Sequence, residues 1–171
     1  GTIAAVDNSM GVVGVAPSVR LWGVKVLKAN GSGSDENIIA GMEWVMARKR
    51  ELGGNWIINL SLGATSASDL ERETFARAVS EGILVVAAAG NRAVASLDVP
   101  ARYDGVLAIS AIDVKSELAD FSSYGSGTAF AAPGVRVLST VPVGTAQSVD
   151  LITASGTPFA AFPLQGSPRG E

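Results

Sequence analysis

Two short, almost wholly apolar runs constrain this chain more than anything else in it. They are WIINL at residues 56–60 and ILVVAA at 83–88, each followed at once by small and polar residues. Such runs suit strands buried on both faces, because neither side of the pleat then meets water, and those strands belong to parallel sheets. The stretch between them fits a crossover helix over residues 69–80, with Leu70, Phe75, Ala78 and Val79 facing inward and Gly82 as its stop. A second helix is expected from Glu36 to about Arg50, capped by Asp35. Ile38, Ile39, Met42, Trp44, Val45 and Met46 would form its broad apolar face. Arg48, Lys49 and Arg50 suit a helix C-terminus, and the Gly53-Gly54 pair ends the pattern. Residues 19–27 (VRLWGVKVL), 106–110 (VLAIS) and 135–140 (VRVLST) read as further strands. The alternation of strand and helix implies a parallel sheet covered on both faces.

A chain of 171 residues has room for one domain with a sizeable core. With 47% hydrophobic and 17% charged residues, disorder is excluded and extensive burial expected. A formal charge of -3 argues against nucleic acid or an anionic membrane surface as partner. No apolar run approaches the ~18 residues that span a bilayer. The chain has neither Cys nor His, which removes thiolate chemistry, the commonest general base and the commonest zinc ligand. A bound metal would have to sit among oxygens, which favours calcium. The start at Gly1 and the Pro/Gly-rich stretch before Glu171 read as the ends of an internal fragment.

In open parallel sheets the functional groups gather in loops at the carboxyl ends of strands. Three loops fit that position: Asn30-Gly31-Ser32-Gly33, Ser61-Leu62-Gly63 and Ala89-Gly90-Asn91. The first admits a phosphate-binding reading, but Glu36 stands where a third Gly would be, and an acid there repels a diphosphate. A plain turn before a helix is the simpler reading. Asn91 follows four small residues after a buried run. Its amide could be held rigidly at the rim of the sheet as a donor to a developing oxyanion. Alternatively, Gly90-Asn91 is only a turn that uses the tolerance of Asn for left-handed backbone.

Six blocks in order carry a resemblance to one family: GTIAAVDNSMGVVGVAP, VKVLKANGSGS, IINLSLGA, VVAAAGN, FSSYG and AAPGV. Together they resemble the successive blocks of the subtilisin-like serine proteases, over roughly residues 1–142. The resemblance implies an α/β three-layer sandwich with a mainly parallel central sheet, here incomplete, and peptide-bond hydrolysis as the activity. By position, Asn91 falls where the family places its oxyanion-hole Asn. Ser61, Leu62 and Gly63 fall where it presents a backbone edge to an extended peptide. Gly31, Ser32 and Gly33 look like the opposing edge, so that a protein or peptide substrate would lie between them as an added strand. Ala87, Ala88, Ala89 and Gly90 would line the primary specificity pocket, whose small residues suggest room for a large apolar side chain.

The stretch 6–12 resembles the family's high-affinity calcium loop. That match implies the Asn8 side-chain oxygen and the carbonyls of Val6, Met10 and Val12 as ligands, an all-oxygen but incomplete set, with the family's other ligands upstream of Gly1. A weaker cation site of some relatives uses carbonyls around Ala101, Tyr103 and Val106. The resemblance also implies an extracellular protein.

Two departures bear on activity. The family's Asp and His activate a Ser nucleophile, and this chain has no His at all. Ser155-Gly156-Thr157-Pro158 is similar to the nucleophile block, but Pro158 stands in the place of Ser. Either the nucleophile is lost, giving a peptide-binding pseudoprotease, or residues 143–171 begin an inserted domain of the protease-associated type and the Ser lies beyond Glu171. The second is the expectation, with residues 1–142 as part of the catalytic domain. A nucleotide-binding α/β domain is the remaining alternative.

Overall fold

The computed structural model describes residues 1–140 and the backbone of 151–152 and 158–159. Two compact units divide the chain, Gly1–Trp22 with Arg136–Glu171 and Gly23–Val135.

The unit Gly23–Val135 holds a four-stranded sheet. Its strands are β1 (Ile57–Leu60), β2 (Leu84–Ala88), β3 (Val106–Ile112) and β4 (Thr128–Pro133), in the order β1-β2-β3-β4 and parallel throughout. The parallel α/β class expected from the apolar runs is therefore present. Helix α1 (Asp35–Leu52) precedes β1, and α2 (Asp69–Ser80) connects β1 to β2. Pairing of Val85 with Val106 and Ala87 with Ala108 aligns one face of the sheet. That face meets Met42, Val45 and Met46 of α1 and Phe75 and Ala78 of α2 in one core. On the opposite face, Ile57 and Leu84 stay exposed and Val86, Leu107 and Ile109 are half-buried. The described residues thus supply the sheet and one helical layer.

Several local expectations are corrected. Asp35 does not cap α1; Ser34 is the N-cap, without a side-chain capping bond, and the Asp35 carboxylate instead accepts from the Ser68 backbone N–H at 2.8 Å. Trp44 is largely outside the core, with the Arg48 guanidinium 5.8 Å from its ring centroid. Leu70 also points outward, and Glu71, Thr74, Phe75 and Ala78 form the buried stripe of α2. The 71/74/75/78 spacing follows the 3.6-residue period, which turns Leu70 off that stripe. Residues 19–27 and 135–140 are not strands; the fourth strand is the Ala-rich segment Thr128–Pro133.

Gly53 ends α1 at φ 66°, in the left-handed region, its N–H bonded to the Lys49 carbonyl. Arg77–Glu43 and Arg50–Glu81 ion pairs join the two helices at the surface. Exposed pairs of this kind add little, so the helices are held mainly by the apolar core.

In the other unit, the Ala5 carbonyl accepts from Gly14 N–H at 2.9 Å and the Ile3 carbonyl from Ala16 N–H at 2.8 Å, closing a loop over residues 5–14. Leu151–Ile152 and Pro158–Phe159 form a two-residue antiparallel ladder. The division proposed at residue 142 and the Ser155-Gly156-Thr157-Pro158 block lie outside the described residues, apart from the backbone of Pro158. No helix among the described residues is long and apolar enough to cross a membrane.

Candidate active site

Parallel pairing brings the carboxyl ends of β1 and β2 side by side, and two of the three loops singled out above leave the sheet there. The loop after β2 is pinned on both sides. Ala89 N–H donates to the Ile109 carbonyl and the Ala89 carbonyl accepts from Asp98 N–H, both at 2.9 Å. The Gly90 carbonyl accepts from Ser123 N–H at 2.9 Å, and Arg92 N–H donates to Ser123 Oγ at 3.3 Å. Ser123 is itself buried, and its carbonyl accepts from Ser110 Oγ at 2.9 Å. Asn91 is the exposed residue between these anchors, and its side-chain amide makes no hydrogen bond among the described residues. A fixed backbone carrying an uncommitted N–H donor is the arrangement that charge stabilisation at a reacting centre requires.

The loop after β1 lies next to the same segment. Ala64 and Val99 exchange both backbone hydrogen bonds, at 3.0 and 2.9 Å, in an antiparallel bridge. Ser61 and Gly63 are exposed and Leu62 is half-buried against the core. The Ser61-Leu62-Gly63 backbone is consequently an open edge held by its neighbour Ala64. Sequence reasoning missed Asp98, the one acidic side chain in this cluster. It is buried, and its Oδ1 accepts from Arg92 Nε at 2.9 Å and Nη2 at 2.5 Å. An acid inside the apolar stretch Leu97-Asp98-Val99-Pro100 was the available signal.

Gly31, Ser32 and Gly33 are all exposed. The Asn30 side-chain oxygen accepts from Ser32 N–H at 3.0 Å and from Ser32 Oγ at 2.7 Å, and the Ser32 carbonyl accepts from Lys28 N–H at 2.8 Å. This is a clasped turn before α1, linked to the β1–α2 loop by the Asp35–Ser68 bond. The Ser34 hydroxyl beside Glu36 holds that carboxyl below its ordinary value, so negative charge sits where a phosphate would need positive potential.

In the loop 6–12, Val6, Asn8 and Met10 are exposed and Val12 is half-buried. Asn8 Oδ1 accepts from Met10 N–H at 2.9 Å, an Asx turn that leaves one lone pair for a further partner. Among the described residues no group of three or more His, Cys, Asp or Glu side chains could hold a metal ion. Ala101, Tyr103 and Val106 share the lining of a cavity of about 410 Å³ with Asp104 and Gly127.

Beneath this surface Glu71 is buried, and Tyr103 Oη donates to its Oε1 at 3.2 Å. Burial, reinforced by the charge of Asp35, pushes the Glu71 carboxyl above the ordinary carboxylate value, while the Tyr103 bond opposes the rise. Burial and the same carboxylate push the Tyr103 phenol up to about 12.

Comparison with known proteins bears directly on this geometry. The sequence profile of the subtilase family, a peptidase family, matches residues 1–161. The chain is 46% identical over 161 residues to subtilisin Savinase of Lederbergia lenta, covering 94% of this chain and 58% of that protein. It is equally similar, at 46% over 161 residues, to an alkaline protease of Shouchella clausii, of which 41% is covered. Subtilisin DY of Bacillus licheniformis is 42% identical over 171 residues, with 98% of this chain and 59% of that protein aligned. The chain therefore spans between 41 and 59% of the length of these relatives. Their names favour neither a pseudoprotease nor a nucleotide-binding domain.

Proposed function

The chain belongs to the subtilase family, and on that premise we propose that the full-length protein is a serine endopeptidase whose oxyanion donor, substrate edges and part of a calcium site lie in this sequence. The observation that carries the reading is the Ala89-Gly90-Asn91 loop, pinned by four backbone and side-chain bonds with Asn91 left exposed. In peptide hydrolysis the scissile carbonyl gains negative charge as the tetrahedral intermediate forms, and a donor already in place lowers that barrier without reorganising. Asn91 takes this role. Ser61-Leu62-Gly63 offers one main-chain edge, and Gly31-Ser32-Gly33, where the turn already takes the Ser32 N–H and carbonyl, offers the opposing one through its remaining groups, so that a peptide binds between them as an extended strand. Ala87, Ala88, Ala89 and Gly90 supply main chain beside the pocket for the side chain preceding the cleaved bond, with the Ala87 and Ala89 methyls buried in the core and Ala88 and Gly90 half-buried.

The chain has no His, so the base that activates the Ser nucleophile comes from outside these residues. We place residues 1–142 in the catalytic domain and treat 143–171 as the start of an inserted segment. Val6, Asn8, Met10 and Val12 contribute oxygens to a calcium ion that stabilises the fold. The protein acts outside the cell, on protein or peptide substrates. The test is direct: the full-length protein should hydrolyse a peptide anilide and lose that activity to a fluorophosphonate that labels active serines. Failure to hydrolyse or to be labelled would overturn the proposal.

A further inference from the structure

Of the six asparagines in the chain, Asn30 alone is followed by glycine. At such a pair the main-chain nitrogen of the glycine can attack the side-chain carbonyl carbon before it, because the second residue has no side chain to shield that approach. Asn30 and Gly31 are both exposed, and apart from its chain neighbours no atom lies within 4 Å of the place a Cβ on Gly31 would take. The other five asparagines precede Ser9, Ile38, Trp56, Leu60 and Arg92, whose side chains crowd the same approach.

The turn does more than expose the pair. Asn30 Oδ1 accepts from Ser32 N–H at 3.0 Å and from Ser32 Oγ at 2.7 Å. A backbone N–H can only donate, so it is the oxygen of the amide, not the nitrogen, that stands on this side. Nδ2 has no hydrogen-bond partner among the described residues and is free to leave. When the Gly31 nitrogen bonds to Asn30 Cγ, negative charge collects on Oδ1, where two donors already stand. The opposing contact is the bond from Gly31 N–H to the Lys28 carbonyl, at 3.0 Å, which has to open before the proton can leave. It joins two exposed residues, where water can take its place.

We propose that Asn30 is a self-modification site, which in mildly alkaline water cyclises onto Gly31 and loses ammonia with the assistance of Ser32. Hydroxide takes the Gly31 N–H proton, the bond from Gly31 N to Asn30 Cγ forms, and the Cγ–Nδ2 bond breaks as solvent protonates the departing ammonia. Water then opens the cyclic imide at either carbonyl, leaving aspartate or isoaspartate at position 30. Either product adds a carboxylate to the turn that leads into Asp35 and Glu36. Isoaspartate also routes the main chain through its side-chain methylene, which inserts one backbone atom before Gly31. Conversion therefore displaces Gly31-Ser32-Gly33 and weakens peptide binding, a consequence that rests on the reading of this loop as a substrate edge.

The test ages the full-length protein at mildly alkaline pH, with a reversible arylboronate present to suppress self-digestion. Trypsin then releases the peptide 29–48, which lies between Lys28 and Lys49, and tandem mass spectrometry reads the amide-to-acid mass gain at Asn30 separately from Asn37. Asn30 should convert at least as fast in the folded protein as in the synthetic peptide 29–48. In Ser32→Ala the rate should fall by about tenfold, the worth of one hydrogen bond to a charged oxygen. Asn30→Gln, whose longer side chain closes the imide ring slowly, should gain no mass and keep through ageing the KM it began with. After dialysis the converted wild type should cleave a peptide anilide with a raised KM and little change in kcat. A folded-state rate below that of the peptide, or one unmoved by Ser32→Ala, overturns self-modification by the turn whether or not the protein is a protease. Conversion with an unmoved KM overturns the effect on binding, and the edge reading with it.

Discussion

Gly90 meets two demands at once. Its φ of 115° lies where a side chain strains the backbone, and the space a Cβ would fill is occupied by Asp98 Oδ2. Gly90→Ala should accordingly cost about 3 kcal/mol or more, from backbone strain and overpacking together, measured by denaturant unfolding of the full-length protein. A loss under ~1 kcal/mol would mean that the loop can move away from Asp98, against the fixed geometry described here. Glu71 makes a second prediction at this scale. Its carboxyl titrates above the ordinary value because of burial, so the folded protein holds a proton that the unfolded chain has already released. Stability from this group is present at low pH and is lost as pH rises through the raised value. Glu71→Gln, which can still accept from Tyr103 Oη, should flatten that decline, so its melting temperature gains on the wild type from about pH 4 toward neutrality. Parallel melting curves for the two proteins would count against a buried, proton-holding Glu71. The oxyanion candidate was legible at residue scale because Asn91 ends an apolar run. Asp98 was not, because its surroundings include Gly63, which is distant from it in sequence and is brought beside it by the Ala64–Val99 bridge.

At the scale of elements, α2 shows what sequence patterning captures. Its bounds of Asp69–Ser80 coincide with the expected helix because local signals agree: Ser68 Oγ accepts from Glu71 N–H at 3.2 Å, acids occupy the first turn and Arg77 the last. Ser68→Ala should cost about 1 kcal/mol by the same unfolding measurement, whereas Phe75→Ala, which empties the centre of the core, should cost ~3–5 kcal/mol. Equal effects would mean that α2 is held by its cap rather than by packing. The strand errors have a different origin. VRVLST has the β-branched residues of a strand, and TAFAAP has few, yet TAFAAP is β4 because it finds a partner in β3, with Ser110 opposite Ala131 and Ile112 opposite Pro133. Strand propensity describes a fit to a neighbouring surface, and that neighbour is not visible in a local window. Residues 19–27 fail for a related reason. The two units divide at Trp22 and Gly23, and Val24 and Val26 pack against Gly41 of α1, where a Cβ would meet Val26 Cγ1 at 2.5 Å.

At the scale of the whole molecule the sequence carries the loops proposed as oxyanion donor and substrate edges but no His, so the 171-residue chain alone should hydrolyse peptide anilides no faster than background. Turnover by the purified chain would require a different mechanism. The calcium proposal is tested on the full-length protein, where chelation should lower the melting temperature and Asn8→Ala should remove most of that sensitivity. Because Asn8 Oδ1 also closes an Asx turn to Met10, Asn8→Asp serves as the control. It keeps an acceptor for the turn and should retain a response to chelation, whereas indifference of the wild type to chelation would reduce the loop to a turn. The central claim is that the pinned loop after β2 aims Asn91 at charge that exists only in the transition state. The most direct measurement is therefore steady-state kinetics of Asn91→Ala in the full-length enzyme, with folding verified by circular dichroism. A fall in kcat of ~10²–10³-fold with little change in KM is expected for the loss of one oxyanion donor. A folded variant that keeps the kcat of the wild type would contradict that role and leave Asn91 as a turn residue.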